Sequence, residues 1–187
     1  MKAFALRLAV FALMMAAAVD VRAQNLGSTE SSEHLIKAGY VYNFAKLVEW
    51  PAWATPKGQP IVIGVLGNDD FAAVLSHAVD GKKVDDRVFV VKRLKSRDPL
   101  KDCGCRILFV AASESARTDE IIQFQNASSV LTIAEAPDFA KRGGIIALTL
   151  GEDSKIRFAI NVDAAAQASL TISSRLLTLA TIVHTAR

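Results

Sequence analysis

Cysteine is scarce in this chain: Cys103 and Cys105 are the only two in 187 residues, too few for a disulfide scaffold. Proline is also scarce, with five residues, which excludes a collagenous or proline-rich architecture. Beyond the N-terminus no apolar run approaches the roughly 20 residues of a bilayer span, so a polytopic membrane protein is excluded. Neither sign of charge dominates, with 22 Lys and Arg against 19 Asp and Glu. What is present, 51% hydrophobic and 22% charged residues, is the balance of one globular domain.

The first residues read as an export signal. Lys2 and Arg7 form a basic start, Leu8 to Val19 is uninterruptedly apolar, and Val21-Arg22-Ala23 is a small-residue cleavage pattern before Gln24. Segment 1–23 is therefore expected to be a cleaved signal peptide, leaving 24–187 as a single domain. A membrane anchor is the alternative, but Arg7 and Asp20 bracket a run well short of a span. No cysteine follows the run, so lipidation there is excluded. Cleavage removes Lys2, Arg7 and Arg22 against Asp20 and leaves the chain close to neutral. The electrostatic case for nucleic-acid binding goes with the signal.

From Ser31 to Trp50, Ile36, Tyr40, Val41, Phe44, Leu47 and Val48 recur at helical spacing, and Pro51 supplies a stop. Pro60 to Leu66 reads as a buried strand, followed by a helix capped by Asn68, Asp69 or Asp70 and ended by Gly81. Arg87 to Leu94, Arg106 to Ala112 and Ser129 to Ala134 are further strands, with a helix starting at Ser113 between the last two. Ala136 to Gly144 is a loop or single helical turn. Ile145 to Leu150 and Lys155 to Asn161 flank four turn-prone residues and form an antiparallel hairpin. The tail returns to helix: Asp163 caps an alanine-rich turn, and Ile172, Leu176, Leu177, Ala180 and Val183 line a last helix. The expected fold is a three-layer α/β domain. Its sheet is mixed but mostly parallel, of about five to six strands with a late hairpin, and helices flank it.

Catalytic chemistry finds little support. The Gly64 to Gly67 turn has neither dinucleotide nor P-loop spacing, and Asp69 and Asp70 repel phosphate there. His34, His77 and His184 fall on three separate expected helices without metal-ligand spacing. No nucleophile elbow or acid–base pair stands out, and no cofactor is expected. Cys103-Gly104-Cys105 has two readings of equal weight: a strained, redox-sensitive clip, or one buried and one exposed thiol. The pair is expected to form an exposed, labile bridge or to stay as free thiols rather than to make a buried stabilising disulfide. Of the aromatics around Trp50-Pro51-Ala52-Trp53, not all can point inward, so some face a partner. A partner surface is expected on the 136–144 loop and the hairpin, with Phe139, Glu152, Arg157 and Ile160 as candidates and Trp50 and Trp53 as the second choice.

Tyr40-Val41-Tyr42-Asn43-Phe44-Ala45-Lys46-Leu47-Val48-Glu49-Trp50-Pro51 is similar to the Y-x-Y-N-F-x-K-F-V-x-W-P signature of YfiR-type periplasmic proteins. Cys105 to Val110 resembles that family's C-x-I-L-F-I strand. Val130 to Ile133, Gly143 to Ile146, Arg157 to Asn161 and Ile172 to Leu177 resemble its V-L-T-V, G-G-x-I, R-F-x-I-N and I-S-S-x-L-L segments. The resemblance implies a periplasmic, non-enzymatic regulator that binds the sensory region of an inner-membrane diguanylate cyclase and represses it. An OmpA-like outer-membrane lipoprotein is the implied sequestering partner, and a homodimer stays open. The cysteine pair that some members carry between their V-L-T-V and G-G-x-I strands is absent from Ala134 to Gly144, so that redox switch is not carried over. Cys103 beside Cys105 is the second departure. A periplasmic binder of a small aromatic or apolar ligand is the competing reading.

Overall fold

In the computed structural model, residues 31–151, 153 and 155–185 are described. The expected signal segment, the cleavage site and Glu152 lie outside them.

Helix α1 (31–47) buries Ala38, Val41, Phe44 and Ala45 and leaves Ile36 52% exposed, so Ile36 is not part of the inner face its spacing suggested. The helix ends before Pro51 because Val48–Glu49 (β1) pairs antiparallel with Thr171–Ile172 (β9). Six strands and two helices carry the centre: β2 (Ile61–Leu66), α2 (Asp69–Val79), β4 (Arg87–Leu94), β5 (Ile107–Val110), α3 (Thr118–Ser128), β6 (Leu131–Ala134), β7 (Ile146–Leu150) and β8 (Ile156–Asn161). The two-residue β3 (Lys83–Val84) closes a hairpin onto β4. Asp85 and Asp86 form its turn at φ of 48° and 63°, the left-handed pair that suits a two-residue hairpin.

Strand order in the main sheet is β10-β8-β7-β6-β5-β2-β4-β3. Only β7–β8 and β3–β4 pair antiparallel; the rest are parallel. The sheet is mixed and mostly parallel as expected, and with eight strands it is wider than the sequence suggested. Both short edge strands, β3 and β10, were unreadable as strands. Central strands read as continuous apolar runs because helices bury both faces. One face carries Ile61, Ile63, Val65, Ile107, Phe109, Leu131, Ile133 and Leu148 under α1 and α2. The other carries Leu66, Leu108, Val110, Ala134 and Ala147 against α3 and the 136–144 turn.

Asn68 caps α2, its Oδ1 accepting from Phe71 N at 2.8 Å. The alanine-rich helix α4 (Val162–Gln167) is capped by Asn161 rather than Asp163, with Oδ1 accepting from Ala164 N at 2.9 Å. The expected last helix does not form. Its residues make β9, the four-residue helix α5 (Ser174–Leu177) and β10 (Thr181–Val183), which pairs parallel with β8. Tertiary pairing with β1 and β8 overrides the helical spacing of the apolar residues.

A candidate interaction surface

In the chain's path, β2 leads through α2 to β4, which returns across β2 to β5. Strand order therefore reverses between β2 and β5, the place where open α/β sheets form ligand crevices. Here α1 lies over that place. Lys37, 7% exposed, sits between Glu33 and Glu135 and bonds both carboxylates. Glu135 Oε2 also accepts from Ala112 N at 3.1 Å, just past the end of β5. Beside it the buried Glu114 accepts from the Ser96 hydroxyl. Gly67 at φ +84° leaves room for it: a Cβ there would stand 2.6 Å from Glu114 Cγ. Burial pulls the Lys37 ammonium down, but its bonds to Glu135 and Glu33 prevail and hold it above the ordinary lysine value of 10.5. The charges beside the switch point are thus paired within the chain. His34 is buried in the same region, edge-on to Phe71 at 5.6 Å between ring centroids.

The opposite end of the sheet is open. Trp53, 65% exposed, borders a cleft of about 260 Å³ with Lys101, Gly104, Cys105, Arg106, Phe124 and Ser128. Arg106 precedes β5 and donates from Nη1 to Ser128 O at 3.1 Å, at the C-terminal end of α3, where the helix dipole favours a cation. The Cys103 and Cys105 sulfurs lie at disulfide distance, and the residues are 4% and 1% exposed. Expected exposure of this pair is thus corrected: Leu94, Leu100 and Leu108 pack around it, and Gly64 lets it approach β2, since a Cβ there would stand 2.6 Å from Cys105 Sγ. Lys92 Nζ donates to Cys103 O at 2.8 Å.

The hairpin candidates separate. Arg157 is exposed and bonds Asp153 through two contacts of 2.8 Å, which raise the guanidinium and lower the carboxyl from their usual values. It borders a second groove with Tyr40 and the exposed Leu179. Phe139 and Ile160 are corrected: they are 1% and 0% exposed and offer no surface to a partner. The Phe139 ring lies under Gly144, where a Cβ would stand 2.1 Å from it, and Ile160 faces Ile146 across the hairpin. Trp50 is half-buried against the core, and its indole Nε1 has no hydrogen-bond partner among the described residues. The structure therefore leaves Trp53 and Arg157 on the surface, at different places, and does not gather the candidates into one patch.

A family profile for YfiR/HmsC-like proteins matches residues 34–181. This chain belongs to the YfiR/HmsC-like family. Members are periplasmic and generally non-enzymatic regulators, and the match takes in most of α1, Trp50, Trp53, the cysteine pair and the hairpin. Among solved structures, a conserved domain protein from Vibrio cholerae O1 biovar El Tor strain N16961 is similar at a TM-score of 0.53 and 17% identity. The alignment covers 78% of this chain and 59% of that one. This YfiR/HmsC-like chain thus spans less than two thirds of that protein, and the likeness speaks to the fold alone. A comparison with curated proteins gives no match.

For a YfiR/HmsC-like protein the thermal effect of the cysteine bridge is expected to be small. A bridge two residues apart closes little chain and so restricts the unfolded state little. Adding reductant during thermal unfolding should shift the midpoint by no more than about 4 °C, the equivalent of roughly 1 kcal/mol. A drop of many degrees would contradict this and point to a bridge between subunits.

Sequence reasoning missed Arg106, Lys101 and the exposed Val88 and Val90. A signal existed in Arg-Val-Phe-Val-Val-Lys-Arg-Leu over 87–94. Its alternation places Val88, Val90 and Lys92 on one face, and no helical pattern follows in 95–106 to cover them.

Proposed function

We propose that this chain is a periplasmic repressor. It binds the periplasmic sensory region of an inner-membrane diguanylate cyclase, holds the enzyme in its inactive population, and so lowers cyclic-di-GMP signalling and biofilm formation. Family membership supplies the class of partner. The observation that supports a binding role rather than a chemical one is the ion cluster at the C-terminal ends of β5 and β6, beside the switch point, where Lys37 is held by Glu33 and Glu135 and Glu135 takes the Ala112 amide, so these charges are spent on one another rather than on a substrate. An OmpA-like lipoprotein competing for the repressor would release the cyclase by mass action. Binding of a small aromatic or apolar ligand has less support: the Trp53 cleft of about 260 Å³ is below the roughly 300–1,000 Å³ of drug-sized sites, and the groove of about 370 Å³ beside Tyr40 and Leu179 reaches that range only as an open surface groove.

The test is co-expression with a diguanylate cyclase that carries a periplasmic sensory region, with cyclic-di-GMP measured in extracts and the exported protein weighed intact. A several-fold fall in cyclic-di-GMP with a mass starting at Gln24 is expected. Unchanged cyclic-di-GMP together with no binding of the purified sensory region would overturn the repressor reading. A full-length mass in the membrane pellet would overturn export as a cleaved protein.

A further inference from the structure

The second face of the sheet is incompletely covered. Between β4 and β5 the chain makes only a single turn of tight helix, Leu100–Asp102, so on this face α3 shields β5 and β6 while no helix lies over β4. Val88 is 46% exposed and Val90 38%. Register aligns Val62 with Val90, and Arg106 N donates to Val62 O, so Val90, Val62 and Arg106 form one row across three strands on the same face. Trp53 and Lys101 border that row at the α3 side. The strip, exposed at Val88 and Val90 and half-buried at Val62 and Arg106, is two strand spacings wide, about 10 Å, which is the diameter of one α-helix.

Its charge selects the occupant. Neither Arg106 nor Lys101 forms an ion pair among the described residues. Among the described residues Arg106 has a single carbonyl for its several side-chain donors and no carboxylate beside it, and burial lowers its affinity for the proton. A second copy meeting this face about a two-fold axis would set these cations against each other. We propose that the strip formed by Val88, Val90, Val62 and Arg106, with Trp53 and Lys101 at its border, is the docking site for an acidic amphipathic helix of the protein partner. Its apolar face lies on the valines and Trp53, and a carboxylate meets Arg106. This inference rests on the repressor reading and specifies the partner chemistry it needs.

The experiment measures binding of the exported protein to the purified sensory region of the co-expressed cyclase. Val88→Glu and Lys101→Glu alter exposed side chains and Trp53→Ser an exposed ring, so wild-type melting curves are expected; Arg106→Glu is read only if its melting curve is also retained. Each is expected to weaken binding at least about ten-fold, the size of effect when an anchor of a docking face is lost. Affinity of the wild type should also fall with salt. Folded variants that bind within two-fold of wild type overturn the docking site while leaving the repressor reading intact. Variants that change the oligomeric state but not cyclase affinity overturn it in favour of a second copy. Failure of the wild type to bind the sensory region overturns both.

Discussion

Phe139→Ala is expected to lower the free energy of unfolding by about 3–5 kcal/mol, the cost of truncating a buried phenylalanine, which corresponds to roughly 6–20 °C in a chain of this size. The side chain is 1% exposed and sits in the second core with Ile121, Val130 and Ala147. Its loop is held from both sides: Gly144 N donates to Phe139 O at 3.0 Å, and Asn161 Nδ2 donates to Ala140 O at 2.7 Å. Little collapse can fill the hole, which places the cost in the upper part of its range. Gly144→Ala should also destabilise, because its Cβ would stand 2.1 Å from the Phe139 ring. The double variant should lose less than the sum of the two, since removing the ring makes room for the methyl. Chemical denaturation of the three variants checks this. A Phe139→Ala variant within 1 kcal/mol of wild type that no longer represses would return Phe139 to the partner surface.

Lys37→Met is expected to cost about 3 kcal/mol, the low end of the range for breaking a buried pair, because Glu33 and Glu135 keep some contact with water. The loss comes from the carboxylates left behind: Glu135 would retain the Ala112 amide but no cation. The pH dependence has a definite sign. The folded ammonium titrates above the ordinary value of 10.5, so its contribution is fully present below that value and is lost as pH rises through the folded pKa. Wild type should therefore lose stability on the alkaline side, and Lys37→Met should lack that part of the slope. Urea melts at neutral pH and above pH 10.5 measure both. Equal alkaline slopes in the two proteins would show that folding does not raise the Lys37 pKa, and equal stability at neutral pH that the network contributes nothing.

The parts of the fold legible in the sequence are those where local pattern and tertiary environment agree. PIVIGVL and RILFVAA are continuous apolar runs because β2 and β5 are buried on both faces, and Asn68 announces α2 through its capping oxygen. The turn-prone run from Gly151 to Ser154 announces the antiparallel pairing of β7 with β8. Legibility fails where pairing overrides period. Leu176, Ala180 and Val183 have helical spacing, yet Ser169 at φ 58° turns the chain out of α4, and pairing with β1 and β8 draws residues 171–172 and 181–183 into strands. Phe139 was misjudged because proline and glycine at a loop's ends say nothing of where its middle packs. The surface around Arg106 was missed for a different reason. It is defined by a helix that the crossover from β4 to β5 lacks, and only the sheet order reveals where that leaves bare strand.

The clasp of β1 on β9 joins Val48 to Ile172, and β10 pairs with β8 at the outer edge. Structure at the beginning of the domain is thus completed by residues close to its end. Such long-range closures form slowly, because chain entropy is lost before the contacts that repay it are made. A chain threaded N-terminus first across a membrane could not close this clasp until its last strands had crossed as well. Topology thus couples completion of the sheet to the arrival of residues 171–183, so the domain closes late on whichever side of a membrane it folds.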